Sequence, residues 1–292
     1  MEKLHWLALS LFMVTTSCDA REAAKLTNSE MANAPVGDEI RPCDGCPVFV
    51  RVPDAPSNLR AVKFVAVHEL TWARYLSSVD EKKCSVPASF IEAWPDEVVR
   101  GRMIERYRVD WPAAYLSMRE VDCYRGWIGE KTGLEVSLPT PTEWEWFASA
   151  GDRAAKFPWG QSDANPPAAV ESVEANIGDL WPAGFDGFGD RELISGLRVG
   201  VFPPNAWGLF DLIGNNPEWT TRTVSGEEYI AKNPRWSGVK SWESYEWVLI
   251  KGYGRNFDHW RAGLAGENWT YLNNGRAGAA VSVRLVLIEG EA

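Results

Sequence analysis

The chain alternates between short apolar runs and polar, turn-forming stretches. Val48-Phe49-Val50-Arg51-Val52 alternates as a strand does. The apolar run 64–67 passes through His68, Glu69 and Leu70 to Thr71, which is placed to cap a helix over residues 72–76. Ser117-Met118-Arg119-Glu120 has the form of a capping box, and Val121, Tyr124 and Ile128 follow at helical spacing until Gly133. Thr140, Pro141 and Glu143 open another helix, with Trp144, Phe147 and Ala148 on its apolar face. Glu143 and Glu145, two positions apart, point to different faces and cannot act as a carboxylate pair. The alternation of Val281, Val283, Leu285 and Leu287 predicts a half-buried strand. These elements predict a single α+β domain with much loop structure.

The N-terminal end is patterned differently. Lys3 precedes an apolar run at 7–14 that is too short to span a bilayer, and Thr-Thr-Ser-Cys18 follows. Residues 1–17 are expected to be a signal peptide and 18–42 a polar, Ala-rich tether, with the domain at 43–292. A Cys after small residues resembles the lipobox of bacterial lipoproteins, which makes Cys18 a candidate lipidation site; plain secretion is the alternative. The expected location is the periplasm or cell envelope, on a membrane through that anchor. The 292 residues are 45% hydrophobic with 16 Trp, enough for a large core. A net charge of −10 argues against nucleic acid as a partner and leaves carboxylates to spare for a cation.

Four cysteines fall within the domain. Cys43-Asp44-Gly45-Cys46-Pro47 precedes a strand, whereas a redox motif opens a helix and a zinc site needs a second ligand pair. A local disulfide is expected there in an oxidising compartment. Cys84 and Cys123 fit either a disulfide or two buried thiols.

The stretch that organises the chain runs from Pro203 to Thr220. Paired prolines keep its entry extended, Gly208 and Gly214 permit tight turns, and Asp211, Asn215, Asn216 and Glu218 recur among apolar side chains. Oxygens spaced in this way suit a folded loop converging on something positive, such as Ca²⁺, or a buried turn network without an ion.

The same stretch resembles the PPN-x-x-GL-x-D-x-x-GN-x-x-EWT signature of the formylglycine-generating enzyme (sulfatase-modifying factor) family. Glu69-Leu70-Thr71 and Leu138-Pro139-Thr140 begin two further blocks of that family in the right order, and the resemblance covers roughly residues 43 to 288. It implies the irregular, C-type-lectin-like fold of the family. It also implies two calcium ions. One would be held by Asn176, Ile177, Asp186 and Phe188, the other by Asp211 and Glu218 through side chains and by Gly214 and Asn216 through carbonyls. Arg284 stands at the terminal Arg of the family and would be a structural ion-pair partner. Ser137 replaces the usual Arg before Leu-Pro-Thr.

Formylglycine formation in the family resembles copper-dependent oxidation of a substrate Cys, with two thiolates near the C-terminus. No Cys follows Cys123 in this chain, so no copper is expected. An iron-dependent relative uses three His, whereas only His5, His68 and His259 occur here, and His5 leaves with the signal peptide. His259, beside Asp258, is the one candidate acid or base, and a hydrogen-bonded structural role is the commoner one. Pro217 and Lys251-Gly252-Tyr253-Gly254 depart from the family's groove residues. Two functional classes follow. The first is a calcium-stabilised noncatalytic binding or assembly module for a protein, peptide or small ligand of the envelope. The second is a divergent oxidoreductase acting on a peptide or metabolite without the two-cysteine copper site.

Overall fold

The structure is a computed structural model that describes residues 33–106, 110–160, 197–234, 243–252, 264–273, 275–277 and 280–289. Two antiparallel sheets carry the described chain. The first has the order β1 (Glu39–Ile40), β2 (Phe49–Arg51), β3 (Val62–Ala66), β9 (Val286–Ile288), β4 (Glu135–Ser137). The second runs β5 (Glu218–Ser225), β6 (Glu246–Lys251), β7 (Asn268–Asn273), β8 (Arg276–Ala277). The described helices are α1 (Trp72–Asp80), α2 (Ala88–Ala93), α3 (Glu97–Arg106), α4 (Met118–Thr132), α5 (Pro141–Ala148) and α6 (Gly226–Lys232).

Local chemistry sets the helix ends. Thr71 caps α1, and the Ser117–Glu120 capping box opens α4, which Gly133 closes in the left-handed conformation. Thr140 and Glu143 form the same box on α5, with Pro141 in its first turn.

The first sheet is buried on both faces. Phe49, Phe64, Leu285 and Leu287 join one core cluster with α1, α4 and residues Trp219, Val248 and Ile250 of the second sheet. Their neighbours Val50, Val65, Val286 and Ile288 point the other way, into a second cluster under α5 and the 203–218 loop. This corrects the expected half-buried strand at 281–287. Regular strand begins only at Val286, and the alternate positions Ser282, Arg284 and Val286 are buried as well as Val281, Val283, Leu285 and Leu287. Between β3 and β4, with a cluster on each side, β9 has no face left for solvent.

The end of the expected tether is also structured. Glu39–Ile40 pairs with Phe49–Val50, and Gly37 N–H donates to the Arg51 carbonyl. These are backbone contacts that polar side chains do not announce. Residues 1–32, with the expected signal peptide, Cys18 and the rest of the expected tether, lie outside the described residues.

Candidate functional site

The loop from Asn205 to Glu218 lies over the second core cluster, and its polar side chains turn inward. Asn205 donates to the Phe147 and Ala148 carbonyls at the end of α5 and accepts from the N–H groups of Trp207 and Leu209. Asp211 and Asn215 adopt positive φ (60° and 56°), a region that non-glycine residues enter only when their surroundings hold them there. Gly214 is required between them, because a Cβ at that position would lie 2.8 Å from the Phe202 ring.

These turns close around one cation. Arg284, from the irregular stretch before β9, is fully buried, and its guanidinium makes a forked contact with Glu218, Nε and Nη2 lying 2.9 and 2.6 Å from Oε1. Its remaining N–H groups reach the carbonyls of Ala66, Val67 and Phe210. The second Glu218 oxygen also accepts from the Trp144 indole N–H at 2.6 Å. Glu69 lies in the same interior and accepts from Asn215 Nδ2 and Ser282 Oγ. Asp211 accepts from the N–H groups of Gly200 and Phe202, and His68 Nδ1 stands 3.8 Å from its Oδ2 at the edge of the network.

The charges do not balance. Three buried carboxylates face one guanidinium. Burial, followed by the fields of Asp211 and Glu218, holds the Glu69 carboxyl well above the ordinary Glu range. A protonated Glu69 removes part of the excess. Burial works against the charge of Arg284, but Glu218, Glu69 and Asp211 outweigh it and hold the guanidinium more basic than usual. The carboxylates and the guanidinium of this network are buried. Its work is to tie the signature loop to both sheets.

The family's second calcium was expected at Asp211, Gly214, Asn216 and Glu218. Both oxygens of each carboxylate are instead turned to internal donors, and a guanidinium already occupies the face of Glu218. As arranged, these residues do not form a cage for a divalent cation. Among the described residues, no cluster of three or more His, Cys, Asp or Glu is placed to hold a metal. The first calcium set, Asn176, Ile177, Asp186 and Phe188, and the candidate His259 lie outside the described residues.

On the other face of α5, Glu145 pairs with the buried Lys251 of β6, whereas Glu143 pairs with Arg60, so the two glutamates diverge as expected. Arg60 also donates to Ser137 Oγ and the Leu138 carbonyl. A guanidinium from the β2–β3 connection thus reaches the region where the family's Arg is missing. Ser282 and Asn215, the partners of Glu69, were not among the predicted site residues. Arg284, expected from the resemblance as a structural ion-pair partner, does take that role, with Glu218.

A family model for the sulfatase-modifying factor enzyme 1-like domain matches residues 47–279. The chain belongs to this family. It is 30% identical over 135 residues to the formylglycine-generating enzyme of Bos taurus, covering 44% of this chain and 32% of that protein. It is 33% identical over 122 residues to inactive C-alpha-formylglycine-generating enzyme 2 of Mus musculus, covering 40% and 34%. The matches therefore span about a third of these relatives' length. Among solved structures, PvdO from Pseudomonas aeruginosa superposes with a TM-score of 0.50 at 18% identity, over 87% of this chain and 99% of that one, a likeness of fold.

In this member of the sulfatase-modifying factor family, every cysteine of the domain is oxidised. Cys43 bonds to Cys46, as expected, and Cys84 to Cys123, with Cα atoms 5.0 and 5.8 Å apart. The second bond settles the choice left open between a disulfide and two thiols. It ties α4 to the loop after α1.

Proposed function

We propose that this domain is a noncatalytic binding or assembly module of the sulfatase-modifying factor family, carried in the cell envelope on a lipid anchor at Cys18. The observation that carries this reading is the state of the cysteines. Cys43, Cys46, Cys84 and Cys123 are all consumed in disulfides and no Cys follows them, so the domain offers no thiolate pair for Cu(I). The partner is a protein, peptide or small ligand of the envelope.

The test is conversion of a sulfatase-type peptide. Purified protein supplied with Cu(I) and oxygen is expected to leave the peptide's Cys intact by mass spectrometry. Accumulation of aldehyde would overturn the proposal.

Calcium enters this proposal through Asn176, Ile177, Asp186 and Phe188, which match the family's ligand positions. A cation bound only to the native state stabilises it by mass action. Chelation is therefore expected to lower the melting temperature, and Asp186→Ala to abolish that response. Asp211→Asn, by contrast, should leave the chelation response in place.

A further inference from the structure

One cavity, of about 450 Å³, opens beside the Glu145–Lys251 pair, between α5, the β2–β3 connection, the turn after α5 and residues Leu264 and Ala265. That volume lies within the range of about 300–1,000 Å³ usual for small-ligand sites. We propose that this cavity binds a carbohydrate, one or two sugar rings in size, with Trp146 as the stacking platform. The proposal rests on the binding-module reading above and names the ligand class.

The platform is held firmly. The Trp146 indole meets Trp207 edge to face at 5.1 Å and 71°. Gly151, at φ +78°, lets the chain turn back closely, for a Cβ there would lie 3.1 Å from the Trp207 ring and 3.8 Å from Trp146 Nε1. The opposite wall is fixed as well. Lys251 donates to Glu145 and to the carbonyls of Leu264 and Gly266, and Leu264 N–H donates to the Lys156 carbonyl.

Glu145 is paired with Lys251, and the two other charged residues of the lining, Asp152 and Arg153, are of opposite sign. Asn58, Thr142, Asp152 and Arg153 still supply donors and acceptors beside the indole. An apolar face next to several hydrogen-bonding groups suits a sugar ring, with its C–H face on an aromatic surface and its hydroxyls at the edge.

The experiment is saturation-transfer NMR on the full chain with chitobiose, cellobiose, maltose and mannobiose as probes, and lysine amide as a cationic control. At least one disaccharide should receive saturation at its ring C–H protons. Trp146→Ala should weaken that binding by about tenfold or more. Because Trp146 also packs on the core, Thr142→Arg provides a second variant: an exposed position on α5 whose new side chain fills the cavity while the core stays intact, with the same loss expected. Transfer to none of the four disaccharides, transfer unchanged in Thr142→Arg, or binding of lysine amide alone would overturn the proposal. Such a failure leaves the cysteine argument standing, whereas aldehyde formation would remove the noncatalytic reading whatever the sugar result.

Discussion

Glu218 and Lys251 stand directly opposite one another on β5 and β6, where a cross-strand ion pair is the simplest outcome. They part company. Glu218 turns to Arg284 and Trp144 in the sealed interior, and Lys251 turns to Glu145 at the wall of a cavity. Both cations are buried, but their partners differ: Glu218 is 1% exposed and Glu145 is 38% exposed. Both members of the first pair are buried, so it serves the fold. The second has one member at a surface, where a ligand can take the place of water. A buried charge thus marks architecture in one place and the rim of a candidate site in the other. The difference lies in the partner's exposure.

The largest effect should come from breaking the sealed pair. Arg284→Met leaves Glu218 buried with only the Trp144 N–H, beside two further carboxylates. Removing one member of a buried ion pair costs about 3–5 kcal/mol, because the remaining charge stays desolvated. Urea unfolding of the variant should show a loss of that size or no folded protein at all. A loss below about 1 kcal/mol, the scale of an exposed pair, would mean that the two centres do not differ in kind.

Lys251→Met should cost less. Glu145 can recover water at the surface, while the Leu264 and Gly266 carbonyls lose a donor. The expected loss is about 2 kcal/mol, in the range for leaving buried polar groups unpaired. The sharper readout is binding, because Lys251 fixes the wall formed by Leu264. Disaccharide binding should fall in Lys251→Met, whereas Arg284→Lys, if it folds, should keep it. Equal losses of binding in both would erase the distinction.

Much of this comparison was open to reading from the sequence, though unevenly. Helix ends were legible because capping chemistry is local: Thr71, Ser117 and Thr140 each act on a backbone N–H within three residues. The signature loop was legible as a convergence of oxygens, but not its centre. Arg284 was expected as an ion-pair partner from the resemblance, but it lies 66 positions from Glu218, and nothing near either residue joins the two. Similar logic hid Arg60, which reaches Glu143 across 83 positions. The half-buried reading of the last strand failed for the same reason: alternation reports a period of two, but not what covers each face.

The smallest effect concerns protonation inside the sealed centre, and it tests whether that centre is balanced without an outside cation. Glu69 has a folded pKa raised well above its ordinary 4.5, chiefly by burial and then by Asp211 and Glu218. For an acid shifted in this direction, the stabilising contribution is complete below the unfolded value and is lost as pH rises through the folded one. Glu143 runs the opposite way. Burial opposes ionisation, but Arg60 and the Thr140 N–H outweigh it, so its contribution is complete above 4.5 and is lost as pH falls. As pH rises above the ordinary 4.5, therefore, Glu69 should impose a downward slope of at most about 1.4 kcal/mol per pH unit until it ionises, while Glu143 adds none. Glu69→Gln, a neutral near-isostere, should flatten that slope. The comparison is best made in a His68→Gln background, which removes the imidazole 3.8 Å from Asp211. An unchanged slope would mean that Glu69 is already ionised in the folded protein. Three carboxylates would then share one guanidinium with two negative charges uncompensated, and a bound cation at Asp211 would become the simplest way to hold the loop together.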